Sequence, residues 1–179
     1  MRKLLNEELD RLDVDAYKNS DKTPITIVLD NIRSLNNIGS VFRTADCYRV
    51  EKIILCGITA QPPHRDIRKT ALGATESIEW EYVEDTLKAL ENLKNNQYHL
   101  CAIEQAENST SLYHFKPEKG QKLAVVFGNE VKGVQQQVVD YCDTIIELQQ
   151  FGTKHSLNIS VCAGIVIYDL FNKVSSLRS

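Results

Sequence analysis

The apolar positions of the chain change their spacing near residue 25. Before it, Leu5, Leu9 and Leu12 recur at helical spacing, with Glu7 and Arg11 four apart on another face, which predicts a short amphipathic helix over residues 4–12. Asn19-Ser20-Asp21-Lys22-Thr23-Pro24 breaks it. Beyond it, short apolar and β-branched runs predict strands at 25–29, 52–56, 78–83, 98–103, 122–127 and 144–148. Helical patterns lie between or after them at 39–49, 86–93, 134–141 and 156–171, and 57–66, with Pro62-Pro63, reads as a loop. Strands alternating with helices predict an α/β fold with a mostly parallel sheet covered on both faces. The division expected is a helix and linker over 1–24 and one α/β domain over 25–179.

In such sheets ligands bind beyond the carboxyl ends of the strands. Three polar, glycine-containing stretches fall there: 30–39, 128–133 and 149–156. In the first, Asn37 can cap the helix that Gly39 and Ser40 begin, and Arg43 projects one turn on, suited to a phosphate or an oxyanion. In the second, a strand runs into Gly128-Asn129-Glu130 with Gly133 close behind, either a plain tight turn or a place where backbone approaches a ligand. In the third, Ser156 is a natural N-cap, and Asn158 opens an otherwise apolar helix where asparagine is a poor helix former. Each loop by itself is equally readable as a cap or a turn.

Composition narrows the class. A net charge of -3 over 179 residues excludes a polycation, although basic residues can still gather on one face. No apolar run reaches membrane-span length and no signal segment opens the chain, so a cytoplasmic protein with no membrane partner is expected. The five cysteines, Cys47, Cys56, Cys101, Cys142 and Cys162, are widely spaced, and four of them sit in apolar stretches as if buried free thiols. With no CxxC pair and no HxxxH among the four histidines, no metal site is expected. A Rossmann fingerprint and a P-loop are both missing.

Taken in order, Asn37-Ile38-Gly39 with Arg43, then Gly128-Asn129-Glu130 with Gly133, then Ser156-Leu157-Asn158-Ile159-Ser160 resemble the three signature motifs of the SpoU (TrmH) family of SPOUT RNA methyltransferases. Lys69-Thr70-Ala71-Leu72-Gly73-Ala74 resembles the family's intervening segment, and the likeness spans roughly 25–172. Two positions depart: Arg49 stands where the family usually has glycine, and Gln149 where it often has proline.

The resemblance implies a SPOUT α/β knot with a C-terminal deep trefoil knot, a homodimer, and transfer of a methyl group from S-adenosyl-L-methionine to a ribose 2′-hydroxyl of RNA. DNA, which lacks that hydroxyl, would not serve. It implies catalytic roles for Arg43, Asn37, Glu130, Ser156 and Asn158, with Arg43 either a transient base or a cation stabilising the alkoxide. It implies cofactor contacts from Ile103, Gly128, Asn129, Glu130, Leu148, Ser156 and Leu157. RNA contacts are expected from Arg33, Arg65, Arg68, Lys69, Lys132, Lys154 and His155, with His64 beside them. The compact size is similar to members that act on tRNA; rRNA, or RNA binding without catalysis, are the alternatives.

Overall fold

The computed structural model describes residues 1–177. The apolar runs become strands β1 (Thr23–Asp30), β2 (Val50–Cys56), β3 (Glu79–Val83) and β4 (Tyr98–Ile103), then the two-residue β5 (Thr110–Ser111), β6 (Lys122–Phe127) and β7 (Thr144–Glu147). They form one sheet in the order β3-β2-β1-β6-β4-β7-β5, and every neighbouring pair is parallel. The helices are α1 (Val14–Asn19), α2 (Leu35–Cys47), α3 (Arg65–Ala71), α4 (Ala74–Ser77), α5 (Thr86–Asn95), α6 (Gln136–Tyr141) and α7 (Ile159–Ser176).

Successive strand residues point to opposite faces. Ile25, Ile27, Leu29, Leu123, Val125 and Phe127 pack with the apolar sides of α2, α3 and α7. Val28, Ile54, Leu100, Ala102 and Val126 pack with α5 and α6. With both faces covered, the central strands are apolar at nearly every position, which is why they read as unbroken runs.

Several local expectations are corrected. The helix expected over 4–12 is not formed: a 3-10 turn occupies Asn6–Glu8, and Asp10 takes a left-handed φ of 41° that no helix can continue through. Leu5 and Leu12 stay exposed. The helix forms later, where the Asp13 carboxylate accepts the Ala16 N–H at 2.7 Å, and it buries Tyr17 in the core.

Helix α2 begins at Leu35, capped by Ser34 and not by Asn37, which lies in its first turn. Helix α7 begins at Ile159, capped by Asn158 and not by Ser156. Helix α3 opens inside the expected loop at Arg65, where His64 Nδ1 accepts the Asp66 N–H. Cys47 is exposed, while Cys56 and Cys101 are buried.

One composition-based expectation also changes. Helix α7, at 18 residues with mean hydropathy 1.2, is long and apolar enough to cross a membrane. Its Ala163, Val166, Ile167, Leu170 and Val174 are nevertheless built into the core. Core packing accounts for one face; Val161, Ile165 and Tyr168 on the other remain exposed.

Candidate functional site

Strand order reverses between β1 and β6, since the chain passes from β1 outward to β2 and β3, while β6 is flanked on its other side by β4. The loops leaving two such strands diverge and leave a crevice. Here they are sewn together. The Glu130 carboxylate accepts the backbone N–H of Arg33 at 3.0 Å and of Ser34 at 2.9 Å, and the Asn37 amide at 3.2 Å. Asn37 in turn accepts the amide of Asn158, at the start of α7, at 3.2 Å. One carboxylate and two amides thus join the three loops that pattern alone placed at this edge.

The loop after β6 is shaped for this. Asn129 donates its side-chain amide to the Asn31 carbonyl at 2.7 Å and accepts the N–H groups of Val131 and Lys132. Its backbone exchanges two hydrogen bonds with Gly133, closing a tight loop. A Cβ on Gly128 would run into the Gly133 and Val134 backbone, and Gly133 holds φ 69°. Glycine is required at both for these physical reasons. Burial acts to raise the pKa of Glu130, but hydrogen bonds from the Arg33 and Ser34 backbone and from Asn37 outweigh it and hold the carboxyl below its ordinary value.

A cavity of about 650 Å³ opens between the ends of β4, β6 and β7 and the start of α7. Ile103, Gly128, Asn129, Glu130, Leu148, Ser156 and Leu157 all line it, as do Asn158, Lys132 and His155. Asn37 does not; it touches the cavity's walls through Glu130 and Asn158. Arg43 also lies outside it, exposed on α2, with no hydrogen bond or ion pair among the described residues. Arg33, Arg65, Arg68, Lys69 and Lys154 are exposed and not part of the lining.

Sequence reasoning missed a fourth loop. Glu104 and Gln105 follow β4 and line the same cavity. Glu104 Oε2 accepts the Val134 N–H at 2.8 Å, and Gln105 donates to the His155 carbonyl at 3.2 Å. The signal was available: two polar residues directly after an apolar strand, at the edge where ligands bind. Also missed was Asp30, buried at the end of β1, whose carboxylate accepts Thr86, Gln135 and Asn31 side chains at 2.6–2.9 Å.

The family model of the SpoU rRNA Methylase family matches residues 24–168. The chain belongs to that family. It is 32% identical over 165 residues to a TrmH family tRNA/rRNA methyltransferase of Staphylococcus saprophyticus, covering 90% of this chain and 65% of that protein. A Staphylococcus aureus relative of the same description is 30% identical, covering 87% and 62%. The chain therefore spans a little under two thirds of the length of these relatives.

Among solved structures, the A. aeolicus TrmH/SpoU tRNA modifying enzyme superposes with a TM-score of 0.79 at 21% identity, covering 91% of this chain and 81% of that one. The SpoU methyltransferase AviRb from Streptomyces viridochromogenes, in complex with AdoMet, gives 0.78 at 19% identity, covering 92% and 65%. At such identities the likeness establishes the fold: a SPOUT-type parallel sheet with helices on both faces.

Proposed function

We propose that this SpoU family member is an S-adenosylmethionine-dependent RNA methyltransferase acting on a ribose 2′-hydroxyl, with tRNA the favoured substrate and rRNA the alternative. The observation that carries the reading is the junction of Glu130, Asn37 and Asn158, which ties three motif loops together beside one cavity. The cavity's volume lies in the range of cofactor sites, roughly 300–1,000 Å³. Gly128 and Gly133 keep the loop beside it tightly closed, so that its backbone and polar side chains stay fixed at the cavity wall, which suits S-adenosylmethionine.

The bound cofactor supplies an activated methyl on a sulfonium, so the step needs no further activation of the donor. The protein's task is alignment of the 2′-oxygen and help with its proton. Ile103, Leu148 and Leu157 give the cavity apolar walls, and Gly128, Asn129, Glu130 and Ser156 present polar groups. Asn37 and Asn158 orient the substrate side of the junction. Arg43, a permanent cation with a planar fork of donors, grips a phosphate and stabilises the alkoxide as it forms. Arg33, Arg65, Arg68, Lys69, Lys132, Lys154 and His155 supply phosphate contacts, which would make binding salt-dependent.

Arg43 stands outside the cavity of its own chain, which supports a reading in which a second copy brings it to the reaction centre. The exposed stripe Val161, Ile165 and Tyr168 on α7, which packs beside α2, supports a homodimer. We keep 25–179 as the methyltransferase domain of this reading, with a knot around the cofactor loops, and 1–24 as an extension, of which Tyr17 packs into the core and Thr23 and Pro24 open β1.

The test is a map of 2′-O-methylated positions in tRNA and rRNA from a deletion strain and its parent, with labelled methyl transfer by the purified protein onto both RNAs. Loss of one ribose methylation and its restoration in vitro is the expected result. An unchanged map, with no transfer in vitro, sinks the reading.

A further inference from the structure

Glu104 has no role in the motifs, yet its surroundings are built around it. It follows the apolar strand β4 directly, and its two oxygens are held by backbone, Oε2 by Val134 N–H at 2.8 Å and Oε1 by Gln105 N–H at 2.9 Å. Gly133 makes room for it: a Cβ there would collide with Glu104 Oε2. Among the described residues no lysine, arginine or histidine forms an ion pair with it. The other carboxylate of the lining, Glu130, accepts three hydrogen bonds, from Arg33, Ser34 and Asn37, against two for Glu104. A carboxylate has about four acceptor sites, so Glu104 retains capacity beyond its two bonds. It is half-buried, where a charge is screened less than in open water.

We propose that Glu104 sets the charge preference of the cavity, favouring a cationic ligand over its neutral counterpart. This deepens the function proposed above and rests on it. The methyl donor is a sulfonium; once its methyl is transferred, what remains is a neutral thioether. A preoriented carboxylate without an ion-pair partner among the described residues attracts the sulfonium, a charge the thioether lacks, while the α-ammonium is common to both ligands and cannot tell them apart. Glu104 is then a specificity-determining residue that helps capture the donor and lets the spent product leave.

The experiment is calorimetry of the full chain with S-adenosylmethionine and with S-adenosylhomocysteine, for the wild type and Glu104→Gln. Glutamine keeps the volume and can still accept the Val134 N–H, but removes the charge. The expected result is about a tenfold loss of affinity for the sulfonium, as two partly screened unit charges would give, with the thioether changed by less than about twofold. Equal losses for both ligands, or no loss for either, overturn the proposal.

Should Glu104→Gln lack the wild-type circular dichroism spectrum, Glu104→Asp is read in its place. It keeps the charge while withdrawing the Val134 bond, and must retain the preference for the cation; losing that preference overturns the proposal. A wild type that binds neither ligand overturns the function proposed above, and this inference with it.

Discussion

Arg43 and Glu130 behave differently as single residues. Arg43 is exposed and makes no hydrogen bond or ion pair among the described residues, so replacing it should leave the fold and cavity intact. Arg43→Lys is expected to lower methyl transfer by about 100-fold or more, the scale for removing an oriented charge-stabilising donor, with S-adenosylmethionine affinity unchanged by calorimetry. Near-normal turnover would remove Arg43 from the reaction. Glu130, in contrast, holds two loops.

The pKa of Glu130 is lowered in the fold, so its contribution to stability is complete above its unfolded value of 4.5 and is lost as pH falls through the lower folded value. The urea midpoint of the wild type should therefore exceed that of Glu130→Gln at pH 7, and the gap should shrink in acid below about pH 4.5. A gap that stays constant with pH would mean that the charge does not matter. At neither residue could sequence show the partners. The distance in sequence from Glu130 to Arg33 and Asn37 is closed only by strand order.

Element boundaries show what local sequence can and cannot tell. The central strands were legible because both faces of the sheet are covered there, which forces unbroken apolar runs; the two-residue β5, Thr110–Ser111, left no such run and was missed. The helix starts were misread where several polar residues competed to cap: Ser34 against Asn37, and Ser156 against Asn158. Sequence lists the candidates, and the backbone geometry chooses one. The consequence reaches the candidate site, because an Asn37 freed from capping can bond Glu130 and Asn158.

Arg49 was a departure from the family's glycine, and it occupies the conformation that glycine favours, φ 49°, just after α2. The turn is kept at a backbone cost. Gly39 marks a close crossing, where α2 meets α3: a Cβ would run into the Ile67 carbonyl and Thr70 Oγ1. Gly39→Ala should force the helices apart and lower stability by about 1–3 kcal/mol, read as a fall in the urea midpoint. An unchanged midpoint would show that α3 shifts freely.

At the scale of the molecule, one face of α7 is buried and the other presents Val161, Ile165 and Tyr168 to solvent. If this stripe joins two copies, the wild type runs at twice its chain mass in light scattering, and Ile165→Asp, which places a charge in the contact, runs as single chains and loses turnover. A wild type that is monomeric yet active would contradict the shared site.

Sequence by itself determined the class of sheet, the three loops at its carboxyl edge and the family, because hydrophobic period and motif spacing are local properties written along the chain. Tertiary structure decided the rest. It chose which asparagine caps and which bonds the carboxylate, placed Arg43 outside its own cavity, and brought Glu104 into it. The capping choice and the place of Arg43 depend on strand order and on contacts between residues far apart in the chain, which no local pattern encodes; Glu104 left a local sign, a polar residue directly after an apolar strand, but its bond to Val134 did not.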